Sequence, residues 1–196
     1  MRKEWTILIV ITIGILGVFV GCQKRESTKE EVYQEFQKKI STMKSYKCSA
    51  EVEVVGNKSA QNYIFIHNYN KPDNYKLEVI YPEHLKGKTM EYKNNKILVE
   101  NPDIDDMVEL PNVGRNDQYM FIGDFIKNYL QNEEIETKLA KGNLILETYI
   151  PGEDEYFNKQ VLYVNAETKN PEKMEILDIK GKNRFTVNYK DFKYTK

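Results

Sequence analysis

Two long stretches of this chain alternate apolar and polar side chains with a period of two residues, and this alternation restricts the fold more than any other feature. Successive side chains of a strand point to opposite faces, so the pattern predicts a sheet with one covered face. Fourteen tyrosines and eight phenylalanines also favour strands. We expect six strands in the first stretch, at 47–55, 61–69, 74–81, 88–93, 96–101 and 106–110, and five in the second, at 134–140, 144–150, 159–166, 173–180 and 184–194.

Turn-forming residues separate these strands at short intervals. Gly56-Asn57 and Lys141-Gly142 are typical of turns, and Asn94-Asn95 suits a tight hairpin in which both central residues have positive φ. Because such short turns join antiparallel neighbours, each stretch is predicted to be an antiparallel meander.

One amphipathic helix is predicted before each run of strands. Thr28 and Glu31 have the spacing of a capping box. The apolar stripe that follows consists of Val32, Phe36, Ile40 and Met43. A second helix is expected from about Asp117 to Gln131, and Gly123 inside it indicates either a close packing contact or a weak point.

This order of elements predicts an α+β fold. A large twisted antiparallel sheet tends to curl, and two helices would fill its concave side. We therefore expect an unclosed, or half, β-barrel with helices on its concave face.

The N-terminus has the layout of a secretory signal. Arg2 and Lys3 precede an apolar run at 5–20, and Gly21-Cys22 then leads into polar sequence. The junction resembles the lipobox of bacterial lipoproteins, in which the cysteine is diacylated, although Phe19 and Val20 depart from its usual residues. The interpretation divides the chain into a signal peptide at 1–21, a lipidated Cys22 with its tether at 22–27, and one domain at 28–196.

An uncleaved transmembrane anchor is the alternative interpretation of the N-terminus. The apolar run is short for a span, and an anchor has no reason to end in Gly-Cys. Both interpretations place the remaining chain outside the cytoplasm and next to a membrane, because positive charge precedes the apolar run.

The charge balance excludes an electrostatic footprint for nucleic acid. The whole chain carries a formal charge of −1. Removal of residues 1–21, which hold Arg2, Lys3 and Glu4, leaves 27 basic and 29 acidic side chains, a charge of −2. No nucleic-acid partner is therefore expected, and net charge provides no attraction to anionic lipid.

The second cysteine, Cys48, has no intramolecular partner if Cys22 is acylated. Cys48 shares a predicted strand face with Ala50, Val52 and Val54. It is interpreted as a small buried apolar residue, with an intermolecular disulfide as the alternative.

Sequence motifs for catalysis are missing. The chain has no GxSxG, HExxH, P-loop or CxxC motif. His67 lies on a predicted strand and His84 in a predicted turn, and two such histidines do not supply a zinc site. The acidic segments 103–106 and 153–155 are interpreted as solvated loops, because the first lacks the glycine and spacing of a calcium loop. We expect no catalytic residue, metal or cofactor.

The abundant aromatic side chains have two interpretations. Most are expected to pack in the core and on the faces of the sheet. Some could instead line an apolar concave pocket or a protein-binding face, and the sequence does not separate these possibilities.

Several segments resemble known families. Residues 71–78 and 81–96 resemble consecutive segments of LolA-like proteins, the lipoprotein carriers. Residues 46–54, 56–59 and 120–129 are similar to the clostridial germination lipoproteins of the GerS family, and this likeness extends over roughly 28–194.

The resemblance implies a membrane-anchored, non-enzymatic lipoprotein of sporulation and germination. Its implied partner is a cortex N-acetylmuramoyl-L-alanine amidase (CwlD-like), which it would bind and activate for muramic-δ-lactam formation in the spore cortex. The implied location is extracytoplasmic, through a lipid anchor such as palmitate on Cys22, and in spores on the forespore intermembrane or cortex side. Free sheet edges also favour a homodimer. The alternative function is a LolA-like carrier that binds acyl chains or lipoproteins in an apolar cavity.

Overall fold

The computed structural model describes residues 27–72, 74–93, 96–102, 104, 106–111, 120–131, 136–152 and 155–196. Its helices are α1 (Lys29–Thr42) and α2 (Ile122–Gln131), and a 3₁₀ turn spans Glu83–Leu85. The strands are β1 (Ser45–Val55), β2 (Ala60–Asn70), β3 (Asn74–Tyr81), β4 (Thr89–Lys93), β5 (Lys96–Asn101), β6 (Asp106–Pro111), β7 (Glu136–Ala140), β8 (Asn143–Tyr149), β9 (Lys159–Asn165), β10 (Pro171–Leu177) and β11 (Asn183–Thr195).

Eleven strands within the described residues form one antiparallel sheet. Their order is β6-β5-β4-β3-β2-β1-β11-β10-β9-β8-β7. β1 lies at the centre and pairs with both β2 and β11. The two predicted meanders are therefore two halves of one sheet, joined where the first strand of the chain meets the last.

The predicted strands are confirmed, with small shifts at their ends. The strand predicted at 173–180 ends at Leu177. It ends there because Asp178 Oδ1 accepts hydrogen bonds from the backbone N–H groups of Lys180 (2.9 Å) and Lys182 (2.8 Å), which closes a turn. The hairpin predicted at Asn94-Asn95 lies outside the described residues, whereas Lys141 and Gly142 have the positive φ values, 51° and 76°, of a tight hairpin.

Helix α1 begins at the predicted capping box. Thr28 Oγ1 accepts a hydrogen bond from Glu31 N (3.2 Å), and Glu31 Oε2 accepts one from Thr28 N (2.9 Å). The apolar stripe of Val32, Phe36, Ile40 and Met43 is buried against the sheet. The helix is therefore amphipathic as the sequence predicts, with its charged face outward.

Helix α2 begins later than the sequence suggests. The predicted start at Asp117 lies outside the described residues, and the helix begins at Ile122. The carbonyl of Phe121 accepts the first intrahelical hydrogen bond, from Phe125 N (3.1 Å), so Phe121 occupies the N-cap position. The apolar pattern of the sequence extends N-terminally beyond Ile122 because the side chain of Phe121 is buried in the core, although Phe121 precedes the helix.

The sheet curls around α2. Just before α2, the ring of Phe121 lies 6.1 Å from that of Tyr92 in β4, and near its other end Tyr129 Oη lies 3.0 Å from Thr137 Oγ1 in β7. β4 and β7 are eight strand intervals apart, which is about 38 Å in a flat sheet. A ten-residue helix is about 15 Å long. One short helix therefore contacts both strands only because the sheet is concave around it.

The centre of the core is aromatic. Phe121 is fully buried, and its ring centroid lies 4.3 Å from that of Tyr75 and 4.8 Å from that of His67. At the two ends of the sheet, β6 and β7 each have only one neighbouring strand among the described residues. The unclosed β-barrel with helices on its concave face is thus confirmed.

A histidine lies in this core. His67 is fully buried, as a sheet position predicts, and neither ring nitrogen has a hydrogen-bond partner among the described residues. Burial lowers the pKa of His67 to about 3. The folded protein therefore keeps this imidazole neutral under conditions in which the unfolded chain, with an ordinary histidine pKa, takes up a proton.

Gly123 is a close packing contact, one of its two predicted roles. A Cβ at this position would lie 3.0 Å from Tyr75 Oη and 3.2 Å from two ring carbons of Tyr69. The absent side chain lets α2 approach β2 and β3 at this point, and the buried tyrosine rings leave little room for adjustment.

We expect Gly123→Ala to destabilise the protein by about 1–3 kcal/mol, because overpacking against the two tyrosines outweighs the gain in helix propensity. Urea unfolding measures this change. The exposed Gln131→Ala in the same helix is the control and should be neutral. Equal or higher stability of Gly123→Ala would contradict the packing described.

We expect the free energy of unfolding to fall by about 1–2 kcal/mol between pH 6.5 and pH 5 because of His67 alone. The free energy of unfolding falls as the pH falls because the pKa of His67 is lower in the folded state. The unfolded chain therefore takes up the proton at a higher pH than the folded protein does. His67→Leu should remove this part of the pH dependence, and His84→Gln should retain it. Urea titrations at each pH measure the slope, and an unchanged slope in His67→Leu would contradict the assignment.

Candidate functional site

The cysteine and histidine side chains, which are common catalytic residues and metal ligands, lie in structural positions. Burial raises the pKa of the Cys48 thiol to about 12, so this cysteine is an inert apolar residue. His84 lies in the exposed 3₁₀ turn. Across the part of the chain that the structure describes, no three His, Cys, Asp or Glu side chains converge as metal ligands.

Polar contacts fix α2 in the concavity. Tyr75 Oη donates to Asp124 Oδ1 (3.0 Å), and Asn128 Nδ2 donates to the buried Gln160 Oε1 (3.0 Å). Lys127 lies 3.8 Å from Asp124. These bonds attach the helix to β3 on one side and β9 on the other, so they orient α2 rather than form a reaction centre.

A second polar cluster joins three connections at one end of the sheet. Arg184 Nε donates to Asp178 Oδ2 (2.8 Å), its Nη1 donates to Asn57 Oδ1 (3.1 Å), and its guanidinium lies over the Tyr156 ring. Burial raises the pKa of Asp178, but hydrogen bonds from Lys182 N, Arg184 and Lys180 N outweigh it and hold the pKa below its usual value. The carboxylate is therefore a fixed structural acceptor.

The edge strand β6 exposes apolar side chains on both faces. Met107, Val108 and Leu110 are 65%, 46% and 44% exposed, and Ile104 just before them is 64% exposed. Val108 and Leu110 pair with Val99 and Ile97 of β5. Ile97 packs on the core, so Val108 and Leu110 extend the concave apolar face out to the edge of the sheet. We call residues 104 and 106–111 the β6 edge.

The opposite edge strand, β7, is charged. Lys138 forms ion pairs with Glu136 (2.8 Å) and with Glu147 of β8 (3.4 Å). Leu139, at 38% exposure, is its main exposed apolar side chain. Charges along an edge strand discourage pairing with another chain, whereas an apolar edge invites it. Glu109 of β6 also pairs with Lys96 of β5 (2.6 Å), so the two edges differ mainly in their exposed apolar side chains. On that ground β6 is the edge better suited to a partner.

An apolar groove of about 520 Å³ lies between the two helices. Phe36 of α1, Met43 just after it, Tyr69 of β2, and Ile126 and Tyr129 of α2 form most of its walls. Lys71 lies at the rim, where its ammonium donates to the carbonyls of Ile40 (3.2 Å) and Ser41 (3.1 Å). The volume is in the range of small-molecule sites. We call this space the interhelical groove.

Many of the aromatic residues belong to the core. Tyr69, Tyr75, Tyr92 and Tyr189 are buried, as the packing interpretation expects. Tyr81 and Tyr149 are about half exposed, but they lie on neither the β6 edge nor the interhelical groove. Sequence reasoning located neither of these two features, although the apolar residues Met107, Val108 and Leu110 were a signal for the edge.

The proposed lipidation site, Cys22, lies outside the described residues. Neither helix in the described part of the chain combines the length and apolar character that a bilayer span requires. The acidic segments are described only in part, with Asp106 in β6 and Glu155 in a connection near β9.

One solved structure shares most of its sequence with this chain. It is the structure of the CwlD amidase from Clostridioides difficile in complex with the GerS lipoprotein. A chain of that structure is 69% identical, and the alignment covers 89% of this chain and 100% of that one, with a TM-score of 0.56. The resemblance to GerS seen in the sequence is confirmed.

Two further solved structures are similar to this chain at lower identity. An uncharacterized conserved protein from Thermus thermophilus has 15% identity and a TM-score of 0.52, with 86% of this chain and 88% of that one covered, and it shows the fold alone. A LolA superfamily protein from Nitrosomonas europaea has 13% identity and a TM-score of 0.43, with 83% and 93% covered.

No curated protein matches this chain. The family model described as sporulation protein YdcC-like matches residues 2–196, which is almost the entire sequence. The chain therefore belongs to the YdcC-like family of sporulation proteins.

Proposed function

We propose that this protein is a non-enzymatic partner that binds and activates a cortex N-acetylmuramoyl-L-alanine amidase for muramic-δ-lactam formation in the spore cortex. The observation that carries the proposal is the 69% identity with a chain from the complex of the CwlD amidase and the GerS lipoprotein, over the whole of that chain. Membership of a sporulation family supports it. The protein would supply a binding surface, and the amidase would supply the chemistry.

The proposal includes a lipid anchor. Residues 1–21 act as a signal peptide, Cys22 is acylated, 22–27 form a tether, and 28–196 form the domain. This places the domain outside the cytoplasm, and in spores on the forespore intermembrane or cortex side. Two acyl chains hold a protein stably on a bilayer, where one is marginal. Mass spectrometry of the membrane-extracted protein tests the acylation of Cys22.

We assign the amidase contact to the β6 edge. Its unpaired backbone groups suit strand addition, and its exposed Met107, Val108 and Leu110 supply the apolar area. The edge continues the core through Ile97, so a partner bound there would extend the existing apolar face. The β7 edge also continues the core, through Leu139 opposite the buried Leu144, but it has one large exposed apolar side chain and the ion pairs of Lys138.

Val108→Lys is expected to weaken amidase binding at least tenfold and to reduce amidase activation in parallel, because lysine on an edge strand opposes pairing. Leu139→Lys on the β7 edge is the matched control, since Leu139 is similarly exposed at 38% against 46% for Val108. Calorimetry with the purified amidase measures both variants. If Val108→Lys bound the amidase as tightly as the wild-type protein does, the β6 edge would not be the contact.

We also propose a homodimer that forms through the sheet edges. An open sheet leaves two edges for strand addition or exchange. Light scattering of the protein alone distinguishes monomer from dimer.

A second candidate function is that of an acyl-chain or lipoprotein carrier, and the interhelical groove favours it. The groove has an apolar lining, and Lys71 at the rim provides a positive charge near its opening. An acyl chain with an anionic head group would match this arrangement.

The carrier function predicts saturable uptake of a fluorescent fatty acid. Ile126→Trp should weaken the affinity for the fatty acid at least tenfold, because the larger side chain fills the groove. Gln131→Trp on the same helix lies outside the groove lining and is the control. Fluorescence titration measures uptake. Absence of saturable uptake by the wild-type protein would rule out the carrier function and leave the amidase proposal untouched.

A further inference from the structure

The convex face of the sheet carries a depression on the side away from both described helices. Its volume is about 470 Å³, and it crosses β3, β2, β1 and β11 at the middle of the sheet. Glu51 lines it from β1, between Ala50 and Val52 of the buried core face, so its side chain points outward. The volume is in the range of small-molecule sites.

The strand register places four of the lining side chains in one row. Tyr81 of β3 lies opposite Ile64 of β2, which lies opposite Glu51 of β1. Glu51 in turn lies opposite Asn188 of β11. Residues opposite each other in neighbouring strands point to the same face. The row therefore crosses three strand intervals, about 14 Å, with an aromatic ring at one end and an amide at the other.

A second, shorter row adds one carboxylate and one amide. Glu53 of β1 lies opposite Asn62 of β2 on the same face. We call the side chains of the two rows the convex site, which consists of Glu51, Glu53, Asn62, Ile64, Tyr81 and Asn188. All six belong to the described residues.

The convex site has polar groups that the described residues do not use. Glu53, Asn62 and Asn188 form no side-chain hydrogen bond or ion pair with any residue that the structure describes. Glu51 differs, because Lys190 Nζ lies 2.5 Å from its Oε1. The site thus offers two amides, which donate and accept, and one carboxylate without a counter-ion, which only accepts.

The ring of Tyr81 is available for stacking. Tyr81 is 50% exposed, and it forms no ring-stacking or cation–π contact with a described residue. Two other tyrosines of comparable exposure are different. The Lys159 ammonium lies 5.1 Å from the centroid of the Tyr149 ring, and the Arg184 guanidinium lies over the ring of Tyr156. An exposed aromatic face beside unused polar groups suits a ligand with both apolar and polar surface.

A sugar ring has both kinds of surface. Its C–H groups form an apolar face that can stack on Tyr81, and its hydroxyl groups donate and accept hydrogen bonds. An acetamido substituent adds an N–H and a C=O for an amide partner, and a methyl group for the apolar Ile64. The unpaired charge of Glu53 disfavours an anionic sugar.

We propose that the convex site binds an oligosaccharide of neutral N-acetylated amino sugars. A row of about 14 Å is longer than one sugar ring, which favours an oligosaccharide over a monosaccharide. The inference rests on the proposed function for the source of the glycan, since an N-acetylmuramoyl-L-alanine amidase acts on strands of N-acetylated sugars. The protein would hold the glycan strand on which its bound amidase acts.

The convex site and the β6 edge can be occupied together. β3 and β6 are three strand intervals apart, about 14 Å in a flat sheet. Val108 and Leu110 extend the concave face, whereas Tyr81 lies on the convex face. A change in one site should therefore leave the other intact.

Calorimetric titration of the full chain in detergent micelles with the tetramer of N-acetylglucosamine tests the proposal. We expect saturable binding, and at least tenfold weaker binding of the matched glucose tetramer, which lacks acetamido groups. Absence of saturable binding of the N-acetylglucosamine tetramer would overturn the proposal. Equal affinity for the two tetramers would overturn the assignment to N-acetylated sugars.

Tyr81→Ala should weaken the affinity for the N-acetylglucosamine tetramer by about tenfold, because the stacking surface is lost. Tyr81→Phe keeps the ring and should keep the wild-type affinity. Tyr149→Ala is the matched control, since Tyr149 is 41% exposed but lies outside the convex site. Wild-type affinity of Tyr81→Ala would overturn the assignment of the site.

Asn62→Ala tests the polar half of the convex site and should weaken the affinity for the same tetramer severalfold, because one amide partner is lost. Asn68→Ala is its control, since Asn68 lies on the same face of β2 outside the depression. An equal loss of affinity in both variants would contradict a hydrogen bond from Asn62 to the sugar.

Amidase binding by the same proteins separates failure of this inference from failure of the proposed function. Tyr81→Ala should bind the amidase as tightly as the wild-type protein does. A wild-type protein that binds the amidase but not the sugar tetramer would overturn this inference alone. One that binds the sugar tetramer but not the amidase would overturn the proposed function and leave the convex site as a glycan site.

Discussion

The insertion of Phe121 and helix α2 into the concave side of the sheet is the interaction on which the fold depends. Phe121 contacts rings from β2, β3 and β4, and Tyr129 at the other end of the helix reaches β7. A helix of ten residues thereby connects strands that would lie about 38 Å apart in a flat sheet. Burial of these rings stabilises the curvature, and Gly123 allows the close approach that it requires.

The same curvature leaves surfaces that can bind other molecules. A sheet that curls without closing keeps two edges, and here the described part of β6 exposes three large apolar side chains where β7 exposes one. The helices cover the core but leave a groove between them. These features favour a protein that works through contacts with other molecules.

The sequence predicted the elements better than their arrangement. Period-two alternation located all eleven described strands, and the capping box at Thr28 located the start of α1. The pairing of β1 with β11 could not be predicted, because residues about 140 positions apart leave no local pattern. The start of α2 was predicted too early. Phe121 packs in the core, but it does not belong to the apolar stripe of the helix.

The surfaces were harder to predict than the core. Val108 and Leu110 follow the strand pattern, and only the strand order shows that they lie at an edge without a second neighbour among the described strands. The interhelical groove depends on the spacing of two helices that are about 80 residues apart in sequence.

Hydrogen–deuterium exchange of the protein with and without the proposed amidase partner tests the central claim most directly, because it reports backbone pairing strand by strand. Exchange in β6 should slow markedly when the amidase is added, while exchange in β7 should not change. Unaltered exchange in β6 in a complex that demonstrably forms would contradict the assignment of the partner to this edge.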